Sequence, residues 1–299
     1  MVLWFSQLII LLLATLVSVA FITLLERTLM GTSQRRRGPN KIFIWGVLQP
    51  VLDGIKLMLK STYKPHHSNS SLFSLIPVIG FCLFTAFWSA LPFCYKIISF
   101  NLSTLFILVL FGMMGFNIMI TGWASNNKFS LFGSLRAMTQ SISYEIALSL
   151  IILMLFCIKS SLNLYSLHVG YLMTEILCSC FFLAPVTFMV LAECGRTPFD
   201  LLEAESELVS GYNVEYSSAE FTFLFMTEYG MIIVLCILFS HALAPLSAGL
   251  CSMALIASIL FLRYTLPRLR YDFLMSLMWK SLLPVMILCW FIAFNTSLS

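Results

Sequence analysis

Eight apolar stretches, each of about 17 to 24 residues, constrain the fold of this 299-residue sequence more than any other feature. A helix of about 20 apolar residues crosses the ~30 Å hydrocarbon core of a bilayer. Only 10% of the residues are charged, against about 25% in soluble domains. We therefore predict an all-α polytopic membrane protein with about eight transmembrane helices, forming a single membrane domain over residues 1–299. The predicted spans cover approximately residues 3–25, 72–93, 102–121, 142–158, 171–192, 221–244, 246–264 and 277–294.

The basic residues fall on one side of this topology. If the N-terminus lies outside, all but Lys96 and Lys159 of the 17 lysines and arginines lie in the odd-numbered loops or at the helix ends beside them. Such an excess marks the inner side of a membrane protein, so both termini are expected on the outer side. The first stretch ends at Glu26-Arg27 without a signal-peptide pattern, and we interpret it as a retained helix. The predicted inner-side loops cover about residues 28–71, 122–141, 193–220 and 265–276.

The first inner loop contains an amphipathic segment from Leu48 to Lys60. Pro50 suits the first turn of a helix, and Asp53, Lys56 and Lys60 share one polar stripe beside apolar residues. A helix of about eleven residues is too short to span a bilayer. It would lie on the membrane surface or pack against a soluble protein, and both can hold at once.

The fifth loop is unusually acidic, since seven of the thirteen acidic residues lie between positions 193 and 220. Thr197 to Asp200 has the pattern of a helix N-cap with a proline in the first turn, and Ser210-Gly211 that of a stop. The acidic residues are Glu193, Asp200, Glu203, Glu205, Glu207, Glu215 and Glu220. They form either a solvated face that docks a basic partner, or a row of carboxylates in a partly dry space, where desolvation and repulsion raise pKa values.

Acidic residues within the spans favour the second interpretation. Glu145, Glu175 and Glu228 lie inside or at the ends of predicted spans. A carboxylate at the bilayer centre costs about 2.5–3.5 kcal/mol on insertion scales, and such groups usually mark ion paths. For Glu145, a structural ion pair with Arg136 or Lys128 remains an alternative.

The sequence has no motif for a redox centre. Its four histidines form no mid-span pair for haem, and no zinc, copper or iron–sulfur spacing occurs among its nine cysteines. No Gly-rich nucleotide-binding motif is found either. Electrons for any redox reaction would therefore come from another subunit.

Several strings of residues together resemble the family of subunit 1 of mitochondrial NADH–ubiquinone oxidoreductase, respiratory complex I. They stand in order over the whole chain, and the string in the fifth loop is the most specific. They are Glu26-Arg27, Arg37-Gly38-Pro39-Asn40-Lys41, Leu48-Gln49-Pro50 with Asp53-Gly54-Ile55-Lys56, Gly122-Trp123-Ala124-Ser125-Asn126, Leu135-Arg136-Ala137, Ile142-Ser143-Tyr144-Glu145, Arg196-Thr197-Pro198-Phe199-Asp200, residues 205–216 and Pro267-Arg268-Leu269-Arg270-Tyr271-Asp272.

The resemblance implies a core membrane subunit of the proton-pumping enzyme in the mitochondrial inner membrane, with the inner loops on the matrix side and both termini facing the intermembrane space. Ubiquinone would be the substrate, with no metal, flavin or nucleotide bound by this chain. The expected partners are membrane lipids, small membrane subunits and the peripheral-arm subunits at the quinone site, including the one that carries the terminal iron–sulfur cluster; no nucleic acid is expected.

The resemblance also implies roles for individual residues. A proton or charge relay would consist of Glu145, Glu193, Asp200, Glu203, Glu205, Glu207, Glu215 and Glu228. The quinone entry tunnel would be lined or anchored by Arg27, Arg36, Arg136, Tyr144, Arg196, Phe199 and Phe221. The family pattern differs at Cys194, Gly195, Leu202 and Ala204, which leaves the fine contacts of the loop open.

Two other functions remain open from the residues alone. One is an ion transporter that uses Glu145 and Glu228, although the chain shows no internal repeat of the kind such transporters contain. The other is the related membrane subunit of a membrane-bound hydrogenase, with similar helices and no quinone.

Overall fold

The computed structural model describes residues 2–42, 46–92, 101–159, 163–164, 185–200, 211–243 and 247–298. Within these ranges the chain is helical and contains no strand, which confirms the all-α class. Seven helices are long and apolar enough to cross a membrane. Most of the predicted fifth span, and the acidic loop over residues 201–210, lie outside the described residues.

The described helices are numbered in chain order. The transmembrane helices are α1 (Val2–Ser33), α3 (Ser70–Ala90), α4 (Ser103–Ser125), α5 (Lys128–Lys159), α7 (Ser218–Leu243) and α8 (Ala248–Thr265). The last span is α9 (Tyr271–Leu277), a π-helical turn (Met278–Leu282) and α10 (Leu283–Leu298). Between them lie α2 (Gln49–Leu59), α6 (residues 185–193) and a 3-10 turn (Gly211–Asn213).

Two predicted inner loops are mostly helical in the structure. Residues 122–141 were expected to form a loop, but α4 continues to Ser125 and α5 begins at Lys128. Only a two-residue turn separates them, with Asn126 in the left-handed region (φ 53°). At about 1.5 Å per residue, the 32 residues of α5 extend well beyond a ~30 Å hydrocarbon core. Its first turns mix polar and apolar side chains, which interrupts the apolar run without ending the helix. Similarly, α9 begins at Tyr271 within the predicted loop 265–276.

The first helix also extends past its predicted end. It continues through Glu26-Arg27 to Ser33, because the Glu26 carboxylate is buried in an ion pair with Arg263 of α8 and does not need to reach water.

The amphipathic helix α2 is confirmed, with Pro50 in its first turn and no buried residue. It packs near the inner ends of α1 and α7. Its apolar residues Val51, Ile55 and Leu59 are exposed, so nothing in the described part of the chain covers that face.

Helix α7 lies at the centre of the described bundle and packs against α3, α8 and α1. A side chain at Gly230 would lie 2.1 Å from a ring carbon of Phe84 on α3, so the glycine permits a close helix crossing. The largest buried side chains, among them Phe84, Phe87 and Phe239, belong to this core. Polar groups are buried inside the bundle, whereas residues such as Ile10 and Leu250 are exposed on its outside, as expected where lipid is the solvent.

Candidate functional site

The site begins where α6 ends, at the sequence Leu191 to Arg196. The Gly195 N–H donates to the Ala192 carbonyl (3.3 Å) and the Arg196 N–H to the Leu191 carbonyl (3.1 Å). This is the Schellman pattern of helix termination, which needs a left-handed residue after the cap. Gly195 supplies it with φ 56°. The unusual glycine at this position therefore has a local structural reason, and the bend points Arg196 back into the bundle.

Gln140 of α5 fixes this bend from one side. Its Nε2 donates to the Ala192 carbonyl (2.8 Å) and to the Phe199 carbonyl (3.1 Å). The side chain is almost completely buried, with 2% of the residue exposed.

The connection between α8 and α9 fixes the bend from the other side. The Thr197 hydroxyl donates to the Arg263 carbonyl (3.1 Å), and the Leu269 N–H donates to the Pro198 carbonyl (3.0 Å). The Arg268 guanidinium binds the buried Asp200 carboxylate at 3.1 Å. The predicted helix N-cap at Thr197 is therefore wrong, because its hydroxyl binds another segment and residues 197–199 form a turn.

Arg196 and Glu228 form a buried ion pair. The Arg196 NH2 and Glu228 Oε2 atoms lie 3.7 Å apart, and their side chains are 4% and 15% exposed. Glu228 Oε1 also accepts hydrogen bonds from the Tyr212 hydroxyl and from Asn213 Nδ2. The Arg196 guanidinium lies 4.2 Å from the centre of the Tyr229 ring, in cation–π geometry.

A second buried pair continues this set of charges. Arg263 NH1 donates to Glu26 Oε1 and lies 3.5 Å from the Tyr229 hydroxyl. The Tyr264 hydroxyl donates to the Glu26 carbonyl (2.8 Å). Tyr229 thus stands between two arginines, and each arginine has a carboxylate partner. A buried charge that lost its partner here would be costly, so the arrangement holds the helices in register.

Beside the first pair lies a small cavity of about 70 Å³. Glu193 and Glu228 both face it. The other lining residues, which come mainly from α4 and α7, are Met114, Gly115, Asn117, Ile118, Thr121, Ser141, Cys194, Tyr212, Leu224, Thr227 and Met231. The lining of the cavity is mainly apolar, but the two carboxylates and the neighbouring hydroxyl and amide groups offer partners to water. One water needs roughly 10–15 Å³ of such volume and two to four polar partners.

Glu193 follows the predicted fifth span and is the most perturbed acid outside the spans. Burial, and to a lesser degree the neighbouring Glu145 carboxylate, raise its pKa to about 8. Its Oε2 is buried and has no hydrogen-bond partner among the described residues. The absence of a side chain at Gly112 gives the Glu145 carboxylate its room, because a Cβ there would lie 3.2 Å from Glu145 Oε1.

Three predicted relay residues, Glu145, Glu193 and Glu228, therefore lie around the same part of the bundle. Asp200 lies at the Arg268 side of the bend. Glu215 accepts a hydrogen bond of 2.6 Å from Asn127, at the turn between α4 and α5. Glu203, Glu205 and Glu207 lie outside the described residues.

The predicted tunnel residues separate into an inner and an outer group. Tyr144 and Phe199 are buried with ring centres 6.2 Å apart, and Phe188 lies 6.3 Å beyond Phe199. The Tyr144 hydroxyl is buried with no hydrogen-bond partner among the described residues. Arg196 belongs to this inner group.

The outer group consists of side chains that are exposed or only partly buried, near the predicted inner-side loops. Arg27 is exposed and pairs with Asp53 of α2 at 2.6 Å, and Arg36 is exposed and donates to Gln34 at 2.8 Å. Phe221 and Arg136 are each partly buried on α7 and α5. The structure thus does not bring all seven residues together.

Sequence reasoning missed five side chains that build the site: Glu26, Gln140, Tyr212, Tyr229 and Arg263. Arg263 gave a usable signal, since it is a charge within a predicted apolar span, and an acid at the end of the first span could have been its partner. Gln140 gave none, because a single glutamine on a helix has no pattern. Among the described residues, no group of three or more His, Cys, Asp or Glu side chains could hold a metal ion.

Comparison with known proteins shows the family. A model of the NADH dehydrogenase family matches residues 6–294. The chain is 41% identical over 300 residues to the NADH-ubiquinone oxidoreductase chain 1 of Osphranter rufus, which covers 95% of this chain and 94% of that relative. It is 42% identical over 299 residues to the chain of the same name from Notamacropus eugenii, with the same coverage. The relative of this name from Branchiostoma lanceolatum is 41% identical over 276 residues, or 90% of this chain and 88% of that relative.

Proposed function

We propose, from the premise that the chain belongs to the NADH dehydrogenase family, that its buried carboxylates link quinone reduction to proton translocation. The chain is a core membrane subunit of the proton-translocating NADH–ubiquinone oxidoreductase, a multi-pass protein of the mitochondrial inner membrane. The coupling role of particular residues is the proposal.

One observation carries it: Glu193 and Glu228 face the same cavity, with Glu145 close enough to act on Glu193. Reduction of a quinone to a quinol takes up two electrons and two protons. The electrons come from a partner subunit, since no redox motif occurs in this chain. The protons, or the charge change that their uptake causes, need groups that change protonation near neutral pH. A buried carboxylate with a raised pKa meets this need.

The ion pair of Arg196 with Glu228 would transmit such a change. When a neighbouring acid gains or loses a proton, the field at Arg196 changes, and the guanidinium can shift between the Glu228 carboxylate and the Tyr229 ring. In a space of low dielectric, such shifts act over several ångströms. Asp200, Glu203, Glu205, Glu207 and Glu215 would extend this row across the inner-side loop.

The quinone itself would enter from the lipid through a tunnel formed with the peripheral arm. The support for this is the chemistry of the predicted lining. Tyr144 and Phe199 offer an apolar, aromatic surface for an isoprenoid-bearing ring, and Arg196 lies in the same bend. Arg27, Arg36, Arg136 and Phe221 would line or anchor the outer part of the tunnel.

Ubiquinone is then the substrate, and the peripheral-arm subunit with the terminal iron–sulfur cluster, small membrane subunits and lipids are the partners. Both termini would face the intermembrane space.

The test is a pair of substitutions in the intact complex. Glu193→Gln and Glu228→Gln remove the ability to titrate while keeping size and polarity. We expect NADH oxidation with ubiquinone to fall by at least about tenfold, because a positioned acid–base group usually contributes more than that. NADH oxidation with a water-soluble acceptor, which takes electrons before the quinone, should stay within about twofold.

Asp272→Asn is the matched control, since Asp272 is exposed and pairs only with Arg270 on the surface among the described contacts. It should leave both activities unchanged. If Glu193→Gln and Glu228→Gln both retained the wild-type rate with ubiquinone, the proposed coupling role would be wrong.

A further inference from the structure

Gln140 makes an unusual pair of contacts. Its single amide nitrogen donates to two carbonyls of the same bend, at Ala192 and at Phe199. These carbonyls stand on either side of the segment that carries Arg196. Since both acceptors are carbonyl oxygens, the orientation of the amide is fixed by the contacts: the nitrogen must face the bend.

The residue type is as informative as the position. Ala192 is in the last turn of α6, where helix carbonyls lose their usual partners, and Phe199 is in a turn. An NH2 group offers two N–H donors from one atom without carrying charge. A lysine could reach two acceptors only by bringing a buried positive charge, and a leucine or methionine would remove both hydrogen bonds in a buried space.

The segment between the two carbonyls holds the functional groups. Glu193, directly after Ala192, faces the cavity, and Arg196 pairs with Glu228. The Phe199 ring lies between Tyr144 and Phe188. A shift of either carbonyl by an ångström would therefore move a carboxylate, a guanidinium or an aromatic ring of the site.

We infer that Gln140 is a positioning residue for quinone-linked turnover: its amide clamps both ends of the bend and so sets the position of Glu193 relative to the Arg196–Glu228 pair. It touches neither the quinone nor a transferred proton. The inference rests on the proposed function, since it assigns Gln140 a part in the work of that same site.

The principal test compares Gln140→Met and Gln140→Glu with the wild-type complex. Methionine keeps the length without donors, and glutamate keeps the shape but can serve at most one of the two carbonyls, since it has a single O–H donor when neutral and none when ionised. We expect kcat with a soluble short-chain ubiquinone to fall roughly tenfold in each, which is the scale of one or two lost hydrogen bonds, while KM changes less than about twofold. Rates are normalised to NADH oxidation by the water-soluble acceptor, so a smaller amount of assembled enzyme does not imitate the effect.

Ser149→Ala is the matched control on the same helix, because the Ser149 hydroxyl binds only the Ile146 carbonyl of its own helix among the described contacts. It should leave kcat and KM unchanged. A fall in kcat for this variant equal to that for Gln140→Met would assign the effect to disturbance of α5 in general and would overturn the inference.

A double variant tests whether Gln140 acts through the bend. If it positions Glu193, Gln140→Met should cost little more in a Glu193→Gln background, because the group that it positions is already inactive. Full additivity would overturn the inference. Wild-type kcat in Gln140→Met, with a low rate in Glu193→Gln, would also overturn it and leave the proposed function intact. A wild-type rate in Glu193→Gln together with Glu228→Gln would instead contradict the proposed function.

Should Gln140→Met and Gln140→Glu fail to assemble, Gln140→Asn takes their place, since its shorter amide can reach one carbonyl. We expect an intermediate kcat for it. Failure of all three variants to assemble would give Gln140 a role in folding alone and would likewise contradict the inference.

Discussion

Glu193 shows how one residue of this chain combines burial, charge and position. It is followed by the Schellman bend that Gly195 makes possible, and it faces the cavity that Glu228 shares. No other described residue near the cavity leaves a carboxylate oxygen both buried and without a hydrogen-bond partner. Its chemistry is therefore determined by desolvation more than by any single contact.

This state of Glu193 predicts a pH dependence of stability. Its pKa is raised to about 8 in the folded protein, whereas an unfolded glutamate has a pKa of about 4.3. The neutral form thus favours the fold, so its contribution is fully present below about pH 4 and is lost as the pH rises through about 8. Glu193→Gln, which stays neutral, should raise the temperature of half-inactivation of the purified complex at pH 8.5 and change it little at pH 5. An equal effect at both pH values would contradict the assignment.

At the scale of elements, close helix crossings are permitted by glycines. The crossing of α3 and α7 has Gly230 directly against the Phe84 ring, while Gly249 at the start of α8 has no other atom within 4 Å of an added Cβ. In a membrane, where lipid competes with apolar helix contacts, such small residues allow the packing that holds helices together. The charged pairs of α1 with α8 and of the bend with α7 lie on the same packed core.

These two glycines give a matched pair of substitutions. Gly230→Ala places a methyl group about where the Phe84 ring is, and we expect a loss of about 1–3 kcal/mol from overpacking. Gly249→Ala meets no neighbour and should leave stability unchanged or raise it by up to about 1 kcal/mol through helix propensity. Thermal inactivation of the two variants in the same detergent measures the difference. The reverse order would mean that α3 and α7 do not cross at this glycine.

At the scale of the whole molecule, a few charged pairs are buried within a mainly apolar core, and apolar side chains also cover much of the outside of the described bundle. Helix α2, the bend and the first turns of α5 lie at the same end of the described bundle, which is the predicted inner side. The family assignment favours the quinone-linked function over an ion transporter or a hydrogenase subunit, since the three relatives described above are named NADH-ubiquinone oxidoreductase chain 1.

The orientation in the membrane is open to a direct test. Leu59, at the end of α2, and Leu250, in the first turn of α8, are similarly exposed (81% and 79%) and lie on opposite sides of the predicted topology. With an impermeant thiol reagent added to mitochondria stripped of their outer membrane, Leu250→Cys should be labelled above the wild-type background and Leu59→Cys should not. In inverted membrane vesicles the result should be the opposite. Labelling of Leu59→Cys alone from the intermembrane-space side would reverse the topology.

Much of this architecture could be predicted from the sequence. Hydropathy located the seven described spans, and most of their ends agree with the structure to within a few residues. The amphipathic pattern located α2. Both succeed because the need to bury apolar side chains acts on each segment separately. Hydropathy failed at residues 122–141, since a helix can continue through a stretch of mixed polar and apolar residues in which hydropathy falls. It also failed at Thr197, whose hydroxyl has the right neighbours for a cap but binds Arg263 instead.

The sequence by itself determined that this protein has lipid as its solvent, that it is helical and which acids are available for chemistry, because these depend on composition and short-range spacing. The side of the membrane on which its basic loops lie stays a prediction. Only the tertiary structure decided the partners of those acids. Glu26 meets Arg263 across 237 positions of the chain, and Gln140 holds carbonyls 52 and 59 positions away. Such contacts depend on how helices pack, and no local pattern encodes which buried charge finds which partner.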